Sequence, residues 1–323
     1  MSRSTTHART CTETESDNNR SMTFGKENLP YPYNQDFSGI VTRVKGVRES
    51  TRVALVNSPK VASYLKAGAN LVEQNLGACD WSAVVDTGRR QYWSGLRFLT
   101  ERALSREMEN LEPPFLRQRG DGPYRATWAS HDDYLNDLIT FLFHAMSYDP
   151  QYAAGEETRE WIHDEEDFVE AIDRATFHEL QAICRMPLFR LQLIMAATAD
   201  RNDGVHDAIA NSYAGALEPW MKTYESTFAA RGFQLRPGVT IEQLALMLAA
   251  VTEGFAIHHL GDPSAGIVGK DPGDNLVGMA VLGILNSYLE PVAEPSGTTL
   301  RTHFRDVSNR ARPADRTVDE TGD

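Results

Sequence analysis

The sequence predicts an all-α protein, and three observations carry that reading. Apolar residues recur at helical spacing through most of the chain. No segment sustains the alternation of a strand. Helix-start and helix-stop residues bracket one segment after another.

The first helix is the best marked. Ser58 followed by Pro59 is an N-cap with proline at the first helical position. Val61, Tyr64, Leu65, Gly68, Leu71 and Val72 then form one apolar stripe, and Gly77 closes it. A short helix at 81–85, a tight turn at Thr87-Gly88 and a third segment at 89–98 follow. Thr100 caps a fourth helix through Leu104 and Met108 to a stop at Pro113-Pro114. Longer helices are expected at 133–146, 164–185, 187–199 and 205–230, with Pro219 bending the last of these. Arg231-Gly232 ends that helix, and Phe233 is placed for the apolar contact beyond the cap. Thr240 and Gln243 form a capping box that opens a helix to His259. A final helix at 274–289 is rich in small residues: Gly278, Ala280, Gly283 and Ser287. Residues 1–39 and 293–323 are polar and without period, and read as disordered tails.

Charge is unevenly spread. Between Ile40 and Arg106 stand eleven Lys or Arg against five acids, a local charge of +6 inside a chain of −13, which leaves −19 for the remainder. One face can therefore approach a polyanion while the rest stays soluble. Cys11, Cys79 and Cys184 are odd in number and without paired spacing, so neither a disulfide framework nor a zinc cluster is expected. The first 28 residues contain no apolar run, and no stretch approaches the roughly 20 apolar residues of a membrane span. The expectation is a cytoplasmic protein without a membrane partner.

Several phrases resemble the TetR family of bacterial transcriptional regulators. Tyr64-Leu-Lys-Ala-Gly-Ala-Asn-Leu-Val72 resembles the family's first helix, Gly88 falls on its turn glycine, and Phe98-Leu-Thr-Glu-Arg-Ala-Leu104 resembles the stretch that leads out of the recognition helix. The stronger likeness runs from Gly232-Phe-Gln-Leu-Arg-Pro-Gly-Val-Thr-Ile-Glu-Gln-Leu-Ala245 through Glu253-Gly-Phe255 to Leu260-Gly-Asp-Pro263. It resembles two late helices of the family's C-terminal domain. The chain departs from the pattern at Arg89, Arg90, Trp93, Gly95 and Arg97, and Glu101 stands where the family has a lysine. Gly95 costs a helix about 1 kcal/mol relative to alanine.

The resemblance implies a basic arm at 40–57, a helix-turn-helix domain at 58–112 and a helical ligand-binding and dimerisation domain at 113–292. Arg89, Arg90, Gln91, Tyr92 and Arg97 are then candidates for base contacts with double-stranded DNA, with Lys60, Lys66 and Arg102 on phosphates. A small apolar effector is expected among Phe141, Met146, Phe168, Phe177, Phe189, Met195, Trp220 and Tyr224, of which some are ordinary core. A homodimer would pair the two late helices through Leu248, Val251, Phe255, Met279, Gly283 and Leu285. An alternative is a dimeric ligand- or partner-binding module of the same fold without sequence-specific DNA binding.

An enzyme is not expected. Asp132, Asp133 and Asp137, with 211–218, are faintly similar to the metal-binding motifs of all-α terpene synthases. The third acid is displaced, however, and Gly215 replaces a serine ligand. Asp132 is read as a helix cap, and Glu165-Glu166-Asp167 as acids favoured by a helix dipole. His258 and His259 point about 100° apart on a helix and form no ligand pair, so no cofactor or metal is expected.

Overall fold

A computed structural model describes residues 28–77, 96–117, 122–144, 158–159, 161–162 and 167–311. The described chain is mostly helical, with 69% helix and 3% strand. It divides into two compact units, Met1–Gln35 and Asp36–Asp323. The described part of the first is a run of turns.

The helices are α1 (Glu49–Val56), α2 (Pro59–Leu76), α3 (Glu101–Met108), α4 (Gly122–Thr127), α5 (His131–Leu142), α6 (Phe168–Arg185), α7 (Pro187–Ala196), α8 (Asp203–Ala230), α9 (Ile241–Gly261), α10 (Leu276–Tyr288) and α11 (Leu300–Ala311). Their starts follow the capping chemistry. Ser58, Thr100 and Thr240 each accept a hydrogen bond from the backbone N–H three residues on, and Gln243 completes a capping box. One start differs from expectation. The cap of α5 is Ser130, with Asp133 reciprocating as the third helical residue, so Asp132 lies inside the first turn.

The expected tails also hold structure. Phe37 is fully buried, its ring 5.8 Å from that of Phe141, and its N–H donates to Asn57 Oδ1. Residues 300–311 form α11. The 40–57 segment is likewise not a free arm. Ile40 and Val41 are buried, the N–H groups of Thr42 and Arg43 donate to Asp137, and Val44 bridges Trp128. Residues 81–85, 87–88 and 89–95 lie outside the described residues.

Two cores result. The first gathers around α2, which packs against α3, α5 and α7. At Gly68 a β-carbon would lie 2.6 Å from Leu138 and within contact of the Tyr134 hydroxyl, so only glycine lets α2 and α5 approach this closely. Tyr64, Tyr124, Trp128 and Tyr134 meet there with centroids 5.0–5.7 Å apart. The second core joins α6, α8, α9 and α10. Gly278 of α10 presses on Asp173 and Thr176 of α6. That small residue therefore serves a contact within the chain.

A two-stranded antiparallel sheet was not anticipated. β1 (Phe233–Leu235) pairs with β2 (Leu289–Pro291), joining the exit of α8 to the exit of α10. Beside it Arg236 and Glu290, both buried, pair at 3.6 Å. Arg236 also donates to the Ser287 carbonyl and Ser296 Oγ, while Glu290 accepts from Ser296 and Gln234. Those hydrogen bonds, led by the Ser296 hydroxyl, hold the Glu290 carboxyl below its ordinary range.

α9 is long and apolar enough to cross a membrane by length and composition, with mean hydropathy 1.4, whereas the sequence pattern suggests no such stretch. Its apolarity has two sources in this fold. One face packs on α6, α8 and α10, and the outer face exposes Leu246 and Ile257.

Candidate functional site

α6, α8, α9 and α10, with Thr158 and Ile162, line a cavity of about 140 Å³. The lining follows from helical periodicity. On α6 the inward positions Ile172, Ala175, Thr176, Glu179 and Ile183 share one face. On α8 Trp220, Tyr224 and Phe228 recur every fourth residue and stack in a ladder, with centroids 5.8 and 6.0 Å apart. Phe168 begins α6 behind the Asp167 cap and stacks on Phe233. α9 contributes Ala245, Leu248, Ala249, Thr252 and Glu253.

Two acids interrupt this apolar wall. Glu253 accepts a hydrogen bond from the Tyr213 hydroxyl at 3.1 Å, and Tyr213 in turn accepts from Gln192 at 2.6 Å. Burial raises the Glu253 carboxyl, and the Tyr213 bond opposes the rise. Glu179 has no hydrogen-bond donor or ion-pair partner among the described residues. Burial alone pushes its carboxyl up to about 7. Its side chain retains some accessible surface because it faces the open cavity rather than packed atoms. The Tyr224 hydroxyl is pushed up by burial and by the nearby Glu179 charge. No Lys, Arg or His is found among the described lining residues.

Of the eight residues expected at a ligand, Phe168, Trp220 and Tyr224 line the cavity. Four others do not. Phe141 packs against Phe37, and Phe189 belongs to the solid core of the bundle. Met195 is buried on α7, and Phe177 turns its edge toward His178. Met146 lies outside the described residues. Glu179, Tyr213 and Glu253 were not anticipated. A signal existed for Glu179, because it interrupts the stripe Ile172, Ala175, Thr176 and Ile183 at a position where helical spacing demands an apolar side chain.

Of the residues expected at a dimer interface, Leu248 and Leu285 are buried and line the cavity. Met279 and Gly283 are exposed, while Val251 and Phe255 are half-buried. Of the basic residues, Lys60, Arg97 and Arg102 are exposed and pair with no carboxylate among the described residues; Lys66 is half-buried. Arg89, Arg90, Gln91 and Tyr92 lie outside the described residues. Glu101 approaches Arg125 at 3.7 Å.

Two of the three Asp residues compared with a metal motif are engaged in other bonds. Asp137 accepts from Trp128 Nε1 and from two backbone N–H groups, and Asp133 accepts from the Ser130 N–H in the capping box of α5. Among the described residues no group of His, Cys, Asp and Glu is arranged to hold a metal ion.

One side chain links the cavity to the basic segment. Arg190 of α7 donates through one nitrogen to the Gly77 carbonyl at the end of α2, at 3.3 Å. Another donates to the Cys184 carbonyl of α6, at 3.0 Å. Cys184 follows Ile183 of the cavity wall. The Arg190 Nε is buried without a partner. Comparisons with protein-family models, curated proteins and solved structures return no match to this chain.

Proposed function

We propose that this chain is a ligand-responsive, homodimeric DNA-binding regulator of transcription, acting as a repressor. The observation that carries the reading is the Arg190 contact. An effector that shifts the end of α6 acts, through this side chain, on the end of α2, inside the basic segment 40–106. The +6 charge of residues 40–106 and the exposed Lys60, Arg97 and Arg102, which pair with no carboxylate among the described residues, support a polyanionic partner. The outer faces of α9 and α10, with Leu246, Ile257 and Met279 exposed, support a two-fold helical pairing, shifted away from Leu248 and Leu285. Two heads so held would span half-sites about 34–36 Å apart. The effector acts only to the extent that it binds the two head arrangements unequally.

The test is binding to DNA from upstream of the protein's own gene against a scrambled duplex, across a salt series. Preferential binding that weakens steeply with salt is the expected result. Equal binding to both duplexes, or none at low salt, goes against a sequence-reading head at that site. The Arg190→Ala variant should bind the same DNA but lose its response to an effector.

The second reading, a dimeric ligand- or partner-binding module without sequence-specific DNA binding, draws on one observation. α2 is buried over much of its surface, from Val61 to Leu76, against α3, α5 and α7. Such a helix is built into the body rather than hinged to it.

A further inference from the structure

The cavity is apolar and aromatic, yet it holds a carboxylate that nothing among the described residues receives. An acid placed in such surroundings is costly unless it stays protonated or meets a cation. Among the described residues no cation lines the space and none donates a hydrogen bond to Glu179. Glu253, the other acid, is already engaged by Tyr213. The stacked faces of Trp220 and Tyr224 on α8 are themselves favourable surfaces for a positive charge carried by an apolar body. The space is about that of one aromatic ring with a short substituent.

We infer that the cavity selects a small lipophilic amine, its ammonium group received by Glu179 and its apolar body by the aromatic ladder of α8. This rests on the reading of the cavity as an effector site and names the chemical class of that effector. Binding moves a charge from water into the chamber only as a pair. The cation supplies the partner that Glu179 lacks, and the carboxylate ionises as the pair forms.

Three probes of matched shape test this on the full chain by ligand-observed NMR titration: 2-phenylethylamine, 2-phenylethanol and phenylacetate. The amine should bind about ten- to a hundredfold more tightly than the alcohol, the range of a hydrogen bond to a charged group. Glu179→Gln should remove that preference while alcohol binding persists, and its circular dichroism should match that of the parent. Glu253→Gln should leave most of the preference in place. Equal binding of amine and alcohol, tighter binding of phenylacetate, or loss of preference in Glu253→Gln alone would each overturn the assignment while leaving the cavity a ligand site. Failure of all three probes to bind would instead remove the cavity reading, and the amine proposal with it.

Discussion

Two groups of aromatic residues occupy this molecule, and they end in opposite states. Around α2 and α5, Tyr64, Tyr124, Trp128 and Tyr134 meet at tilted and edge-on angles, and the polar tips of Tyr124, Trp128 and Tyr134 are all engaged. The Tyr134 hydroxyl donates to the Tyr64 carbonyl, and Trp128 Nε1 donates to Asp137. Tyr124 meets His131, whose other ring nitrogen meets the Leu99 carbonyl. Along α8, Trp220, Tyr224 and Phe228 stack face to face and border empty space and an unpaired acid. Aromatic content is similar in both; the fate of the polar atoms separates them. A ring cluster whose polar tips are all consumed is a core. One that leaves a carboxylate open is the place to look for a ligand.

That contrast can be broken most directly at Trp128. Its replacement by alanine empties a fully buried site and strips a donor from Asp137, so urea unfolding should show a loss of about 3–5 kcal/mol. A loss below about 1 kcal/mol would mean that the first cluster is not the packed core described here. At Gly68 the added methyl of alanine has nowhere to go between α2 and α5. The same measurement should give a loss of about 1–3 kcal/mol.

A third test uses pH. Glu179 holds its proton up to about pH 7 when folded, whereas in the unfolded chain it ionises near the ordinary 4.5. The unfolded state therefore gains as pH rises through that interval. Stability should fall by on the order of 2 kcal/mol between about pH 4.5 and 7, and level off above. Glu253 is shifted in the same direction and adds to the slope. Glu179→Gln should flatten most of the fall, and an unchanged slope would remove Glu179 as its source. The smallest effect belongs to Trp220→Leu. A half-buried ring beside a void should cost under about 1 kcal/mol in urea, while weakening any cavity ligand. A loss as large as that of Trp128→Ala would erase the distinction between the two clusters.

The helical class and most helix starts were legible because they rest on local chemistry. Ser58-Pro59, Thr100 and the Thr240–Gln243 box each act within four residues of themselves. Ser130 was passed over for Asp132 because Ser and Asp cap almost equally well, and only the backbone turn decides between them. The β1–β2 pair was illegible. Three-residue strands carry no period, and Arg236 and Glu290 look like surface charges until the chain folds.

The candidate site was half legible. Phe168, Trp220 and Tyr224 share a stripe with residues that are plain core, and periodicity cannot tell a lining ring from a packed one. That Leu248 and Leu285 face the cavity was illegible for a related reason. α9 and α10 are apolar on their inner and outer faces alike, so the sequence marks the helices without marking which side is outside.

The Arg236–Glu290 pair also sets an order of events during synthesis. Strand β1 leaves the ribosome long before β2, and the Gln234–Glu290 contact spans 56 residues. Until Glu290 emerges, the basic end of the α8 exit has no acid to close on, and the cavity helices cannot be clasped at that edge. A nascent chain stalled before Leu289 would hold every wall of the cavity but not its fastening. The late arrival of a few residues in β2 thus decides when this edge of the bundle can first close.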